Sequence, residues 1–368
     1  MLQELRIRGF KGFRDFQLTD ISRVTLVGGK NNVGKTSLLE SIRLFYAIED
    51  PGMLFHHLRW RGIDISRTDI ESLLTPLFTD FNMDNSITLE VKDGIYTGKM
   101  TISFNPSLVE KAISVDISNA GNTTISSKTD VTTATSYHMN IHYEVSDGSQ
   151  EDVAIVLRQT PKNINIQFEP HPATIIPAEM QHNGDFFHLY RTKDYSQDAA
   201  RLSQLDIKRK IDRVVDFLQV IEPQLRGLTS VTLPPKPTIY ADIQGMDRKV
   251  PIGLLGDGIS KLLTIILAIT ATNNELILID EIDVGIHYSV LPQVWEGLFK
   301  AAKDFNCQII ATTHSYECLQ AAHEGSSKAQ AEEDFSYIRL ENYKNNIIAK
   351  QYSHAVLGAA LEHGWEVR

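Results

Sequence analysis

Residues 29 to 36 read Gly29-Lys30-Asn31-Asn32-Val33-Gly34-Lys35-Thr36, with Ser37 next in line. Two glycines, a lysine and a threonine at this spacing suit a loop whose backbone N–H groups cradle phosphate. The glycines let the main chain approach the phosphate oxygens. Lys35 is placed to reach the β- and γ-phosphates, and the Thr36 hydroxyl to ligate Mg²⁺.

Three further stretches carry chemistry. In Glu275–Asp283 a run of four apolar residues predicts a buried strand that delivers Asp280 at its C-terminal end, where open α/β sheets bind ligands. Asp280 is the expected Mg²⁺ partner, directly or by way of water, and Glu281 can act as general base on an attacking water. Capping of the next helix is the competing role, and it suits Asp283. A second buried strand, Cys-Gln-Ile-Ile-Ala-Thr-Thr, ends at Thr312 and Thr313, with His314 following at once. A histidine there can hydrogen-bond a terminal phosphate or the water that attacks it. Gly256, Asp257 and Gly258 precede a helix and form a second anion site of the helix N-terminus type.

These residues need a scaffold, and the hydrophobic pattern supplies one. Leu-Gln-Glu-Leu-Arg-Ile-Arg-Gly-Phe alternates in the strand period, and Ile21–Gly29 is a short apolar strand ending at the glycines. Leu38, Leu39, Ile42, Leu44 and Phe45 recur at helical spacing, so the phosphate loop sits between a strand and a helix. From about residue 83 to 170 the texture becomes short alternating strands separated by Gly, Asn, Asp and Ser. A core strand is expected at 173–180, one amphipathic helix over 196–225, an apolar helix from about 258 to 272, and closing strands at Phe335–Asn342 and Asn345–Ser353. The predicted architecture is α/β: a mixed core sheet flanked by helices, with a β-rich antiparallel insertion. Residues 1–60 and 170–368 form the core, 61–169 the insertion, and 196–225 a helical stub.

Composition narrows the role. Lys and Arg number 36 against 46 Asp and Glu, a net charge of −10, which argues against broad coating of nucleic acid. Cys307 and Cys318 stand in separate contexts and form no metal or disulfide pattern. The charged N-terminus has no signal-peptide core, and runs such as Leu262–Thr270 are too short to span a bilayer, so a cytoplasmic location without membrane contact is expected.

The four motifs, in this order, resemble the ABC-type ATPase head of the SMC, RecF and OLD branch, over roughly residues 1–50 and 170–368. Leu5–Leu18 is similar to that branch's lead strand, and Asn31-Asn32-Val33-Gly34-Lys35-Thr36 to the OLD form of the loop. Leu254–Leu263 resembles a degenerate signature, with Gly256 where serine normally stands, and Asp280–Leu291 resembles the OLD segment after the acidic strand. The resemblance implies ATP and Mg²⁺ as cofactors. It also implies a homodimer, or a higher homo-oligomer, that sandwiches ATP between one copy's phosphate loop and the other's Gly256-Asp257-Gly258. It places Lys11 near the nucleotide and makes Gln181 the candidate Mg²⁺-linking glutamine. No Toprim nuclease domain and no extended coiled coil are expected in this sequence. OLD-like ATPases of this kind resemble sensor halves of two-gene systems, often in anti-phage defence, with a separate Toprim-like nuclease or toxin as effector. The alternatives are a RecF-like DNA clamp and a nucleotide-gated scaffold with negligible turnover.

Overall fold

In the computed structural model, described over residues 1–46, 69–113, 131–148, 150–160, 163–169, 186–187, 195–232, 236–271 and 276–367, alternation at the start of the chain becomes strand β1 (Leu2–Phe10). It buries Leu2, Leu5, Ile7 and Phe10. The wider step from Leu2 to Leu5 is a bulge where β1 meets its neighbour. β1 pairs antiparallel with β2 (Phe13–Leu18) and with β4 (Ile87–Asp93). The sheet then continues through β5 (Tyr96–Ile113), β6 (Val131–Val145), β7 (Gln150–Thr160) and β8 (Asn163–Glu169). The antiparallel strands after residue 83 therefore extend a sheet begun by β1 and β2, and the division drawn at residue 60 cuts across it.

A second sheet has six strands. β3 (Val24–Gly28), β13 (Leu276–Ile279) and β14 (Gln308–Thr312) run parallel at its centre, flanked by β9 (Phe186–Phe187), β15 (Phe335–Tyr343) and β16 (Asn346–Ser353). Parallel strands are covered on both faces, so they read as unbroken apolar runs. Their side chains nonetheless divide. Leu276, Leu278 and Ile310 enter one core with β1, β2 and helix α1 (Lys35–Tyr46), while Ile277, Ile279, Ile309 and Ala311 enter the other. α1 lies between the sheets, against β1 on one side and β13 and β14 on the other.

Beyond a short helix α2 (Ile70–Leu74), the second core is roofed by α3 (Tyr195–Ile207), α4 (Ile211–Leu218), α5 (Asp257–Ala271), α6 (Leu291–Asp304), α7 (Tyr316–Lys328) and α8 (His354–Glu362). A small sheet of β10 (Leu225–Val231), β11 (Thr238–Ile243) and β12 (Val250–Pro251) joins them. The single helix expected over 196–225 is two helices and the start of β10. Arg209 takes a left-handed φ of 54°. The Arg209 amide bonds the Asp206 carbonyl and the Lys210 amide the Leu205 carbonyl, a Schellman closure made without glycine. The strand expected at 173–180 lies outside the described residues. No helix among the described residues is long and apolar enough to cross a membrane.

One close packing fixes the strand before the phosphate loop. A Cβ on Gly28 would lie 2.1 Å from the Tyr337 hydroxyl, which is buried and donates to the Val367 carbonyl at 2.5 Å. Gly28→Ala should destabilise the fold by about 1–3 kcal/mol, the usual penalty of overpacking. Thermal unfolding would measure it, and pairing it with Tyr337→Phe should return part of the loss.

Candidate functional site

Because β3, β13 and β14 are parallel, their C-terminal ends share one edge of the sheet. At the end of β3 the chain turns through Gly29 (φ 132°), Asn32 (φ 61°) and Gly34 (φ 101°) before α1 begins at Lys35. A Cβ on Gly29 would meet the Leu340 carbonyl at 2.5 Å, so glycine is required there for space as well as for φ. Asn31 and Asn32 are exposed at the tip, Ser37 is half-buried on α1, and Val33 is tucked into the first core. Lys35 is 9% exposed, and its ammonium donates to the carbonyls of Gly29 (2.8 Å) and Lys30 (3.0 Å). Burial lowers its pKa, while Glu281, Asp280 and Asp283 push it back up.

Asp280 follows β13 and is 4% exposed. The Thr36 hydroxyl lies 3.2 and 3.1 Å from its two carboxylate oxygens, and Thr312 donates to one of them at 2.7 Å. Glu281 comes next with φ 49°, a left-handed conformation rare for a side chain of its kind. Its amide donates to the Thr312 hydroxyl at 2.8 Å, and its carboxylate lies 3.7 Å from His314 Nδ1. Thr313 donates to Asp283 at 2.6 Å, tying the His314 turn to the segment after Glu281.

The structure thus gathers Lys35, Thr36, Asp280, Glu281 and His314 at one edge. Gly256 (φ 118°), Asp257 and Gly258 open α5, and Gly258 packs on the segment after Glu281: a Cβ there would lie 2.3 Å from the Gly285 carbonyl. Lys11 is paired with the Glu40 carboxylate of α1 and lies over the Phe10 ring. Its ammonium is therefore engaged by α1. Gln181 lies outside the described residues. Thr312 and Lys261 escape sequence reasoning. Thr312 looks only like a strand end, although a hydroxyl beside an acidic strand end is a usable signal. Lys261, on α5, donates to the Glu281 carbonyl, and no motif or spacing announces that bond.

The donors suit a hard cation. A threonine hydroxyl and a carboxylate are the oxygen ligands Mg²⁺ takes from protein when phosphates and water supply the rest. Among the described residues no cluster of three or more His, Cys, Asp or Glu forms a metal cage, and such a site needs none. When bound, held by Thr36 and Asp280, the ion would supply positive charge to neutralise phosphate.

Residues 24–319 match the family profile described as "AAA domain, putative AbiEii toxin, Type IV TA system". The chain is similar to an "ATP/GTP phosphatase" of Helicobacter pylori, 22% identical over 358 residues that cover 87% of each chain. It is also similar to an uncharacterized protein of Methanocaldococcus jannaschii, 33% identical over 67 residues that cover 17% of this chain and 31% of that one. Among solved structures, an Smc head bound to the C-winged helix domain of ScpA aligns with a TM-score of 0.47 at 13% identity, covering 98% of this chain and 99% of that one.

Proposed function

We propose, for a chain that belongs to the family described as "AAA domain, putative AbiEii toxin, Type IV TA system", that its nucleoside triphosphatase site hydrolyses ATP and uses the cycle as a switch. The observation that carries this reading is the meeting of the Thr36 hydroxyl with both carboxylate oxygens of Asp280, next to Lys35. Lys35 and Thr36 grip phosphate and metal, Asp280 holds Mg²⁺, and Glu281 takes the proton from the attacking water. His314 lies beside Glu281 and senses whether the terminal phosphate is present. Two copies close head to head, each lending Gly256, Asp257 and Gly258 to the other's nucleotide.

The site's hard oxygen donors lead to a direct test. Phosphate release from ATP should stop on adding EDTA and return with excess Mg²⁺. Release that persists in EDTA would remove Mg²⁺ from the assignment. The name of the Helicobacter pylori relative couples ATP with GTP. A parallel GTP assay therefore sets the base preference.

The switch acts on a separate effector, a toxin or Toprim-like nuclease, in defence against phage. The family's description as part of a toxin–antitoxin system supports a two-chain arrangement. Plating phage on cells with and without the intact pair of genes tests that role. Equal plaque counts would remove it. A DNA-clamping role finds less support. On the polar face of the first sheet Arg6 and Arg8 pair with Asp15, Lys92 with Glu4, and Lys99 with Glu144. Cations neutralised in this way have little left for a phosphate backbone. Salt-dependent filter binding in the presence of ATP would reverse that judgement.

A further inference from the structure

Glu281 is held by its backbone as well as by its neighbours. Its amide is fixed by the Thr312 hydroxyl at 2.8 Å. Its carbonyl accepts from the Lys261 ammonium, which also lies 3.5 Å from the Val284 carbonyl. Between these two anchors the residue takes the left-handed φ of 49°. Fixing both peptide groups of a residue fixes the direction of its Cα–Cβ bond, and so sets where the carboxylate can reach.

Lys261 belongs to α5, three residues after Gly258, which puts both on one face of the helix. Gly258 brings that face against the Gly285 backbone, so close that a Cβ could not fit. The helix that opens with Gly256-Asp257-Gly258 therefore touches the segment after β13 twice, by backbone at Gly285 and by the Lys261 ammonium at Glu281 and Val284. An apolar side chain would fill this place without the desolvation of a charge. Burial draws the Lys261 pKa down to about 8, against the carboxylates of Asp283, Glu281 and Asp280, which raise it, and the buried Cys318 thiol nearby. A strained acidic residue whose carbonyl is bound by a partly desolvated lysine is an arrangement for holding geometry.

We propose that Lys261 is a positioning residue for hydrolysis: it binds the Glu281 carbonyl, keeps that residue in its left-handed conformation, and couples the base to the start of α5. This rests on Glu281 being the base. A second copy that closes on the N-terminus of α5 would then press, through Lys261, on the backbone that aims the base. Alignment of Glu281 follows from how α5 is seated.

The test compares Lys261→Met with Lys261→Arg in the full chain. Nucleotide affinity is read by titrating a fluorescent non-hydrolysable ATP analogue, turnover by phosphate release, and folding by thermal unfolding. Lys261→Met should lower kcat about 100-fold, as misplacing a reacting group by an ångström does. Its affinity should stay within about threefold, the pattern of an interaction used in the transition state and not in binding. Lys261→Arg keeps donors within reach of the same carbonyls and should restore most of the rate. An unchanged kcat, equal losses in both variants, affinity and rate falling together, or a failure of both to fold would each overturn the proposal. Full turnover by Lys261→Met while Glu281→Gln is inactive sinks this inference alone. Full turnover by Glu281→Gln sinks the assignment of the base beneath it.

Discussion

Glu281→Gln is expected to bind ATP and fail to hydrolyse it. Glutamine matches glutamate in shape, and its backbone can keep both anchors, the Thr312 hydroxyl and the Lys261 ammonium. Only the capacity to accept a proton goes. General-base catalysis contributes about 10²–10⁴-fold, so phosphate release should fall by that range. Lys35, Thr36 and Asp280 remain, and nucleotide affinity should hardly change. If two copies close on ATP and part after hydrolysis, the variant has no way out of the closed state. Light scattering after size exclusion should then report a doubled mass with ATP and a single-copy mass with ADP. Wild-type turnover would remove Glu281 as base. Lost turnover with an unchanged mass would keep the base and remove the head-to-head pairing.

Lys35→Ala should fail one step earlier, at binding. Hydrogen bonds to charged groups are worth about 1.5–3 kcal/mol each, so losing two contacts to phosphate weakens affinity by about 100-fold or more. An effect in the folded protein without nucleotide opposes this only partly. The ammonium satisfies the Gly29 and Lys30 carbonyls and sits in the field of Glu281, Asp280 and Asp283, so its removal unsettles the loop. Burial already disfavours the charge, and the net change in thermal stability should be small beside the loss of binding. Isothermal titration with ATP measures the affinity. Set beside Glu281→Gln, the variant also separates two roles. A switch that must turn over loses phage defence in both variants. A scaffold that only binds loses it in Lys35→Ala and keeps it in Glu281→Gln.

The sequence revealed the central strands well because burial on both faces leaves β13 and β14 as unbroken apolar runs that end at polar residues. Parallel pairing then brings the residues after them to the end of β3, so three distant motifs gather at one place. Three things stayed hidden, each for a physical reason. Arg209 ends α3 in a left-handed turn where the usual signal is glycine, so the break before α4 left no trace in the pattern. Membership of β1 and β2 in the seven-stranded sheet depends on pairing with β4, far along the chain, and alternation alone names no partner. Lys261 reaches the carbonyls of Glu281 and Val284 through bonds that any lysine on any helix could make or omit. Spacing reports what a residue type permits, and contacts of this kind are decided by packing.

The order in which the ribosome delivers the strands of the central sheet differs from their order in space. β3 sits between β14 and β15, and Val24 is paired with both Ile309 and Phe335. The strand that launches the phosphate loop thus leaves the ribosome well before either of its neighbours, which begin at Gln308 and Phe335. At 5–20 residues per second that delay is roughly 15–60 s. During it β1 and β2 can pair as a hairpin and β4 can join them across a long connection, while β3 waits as an apolar strand with open edges. Such a nascent chain offers chaperones a defined window, and slow translation through the segment before β14 should lengthen it.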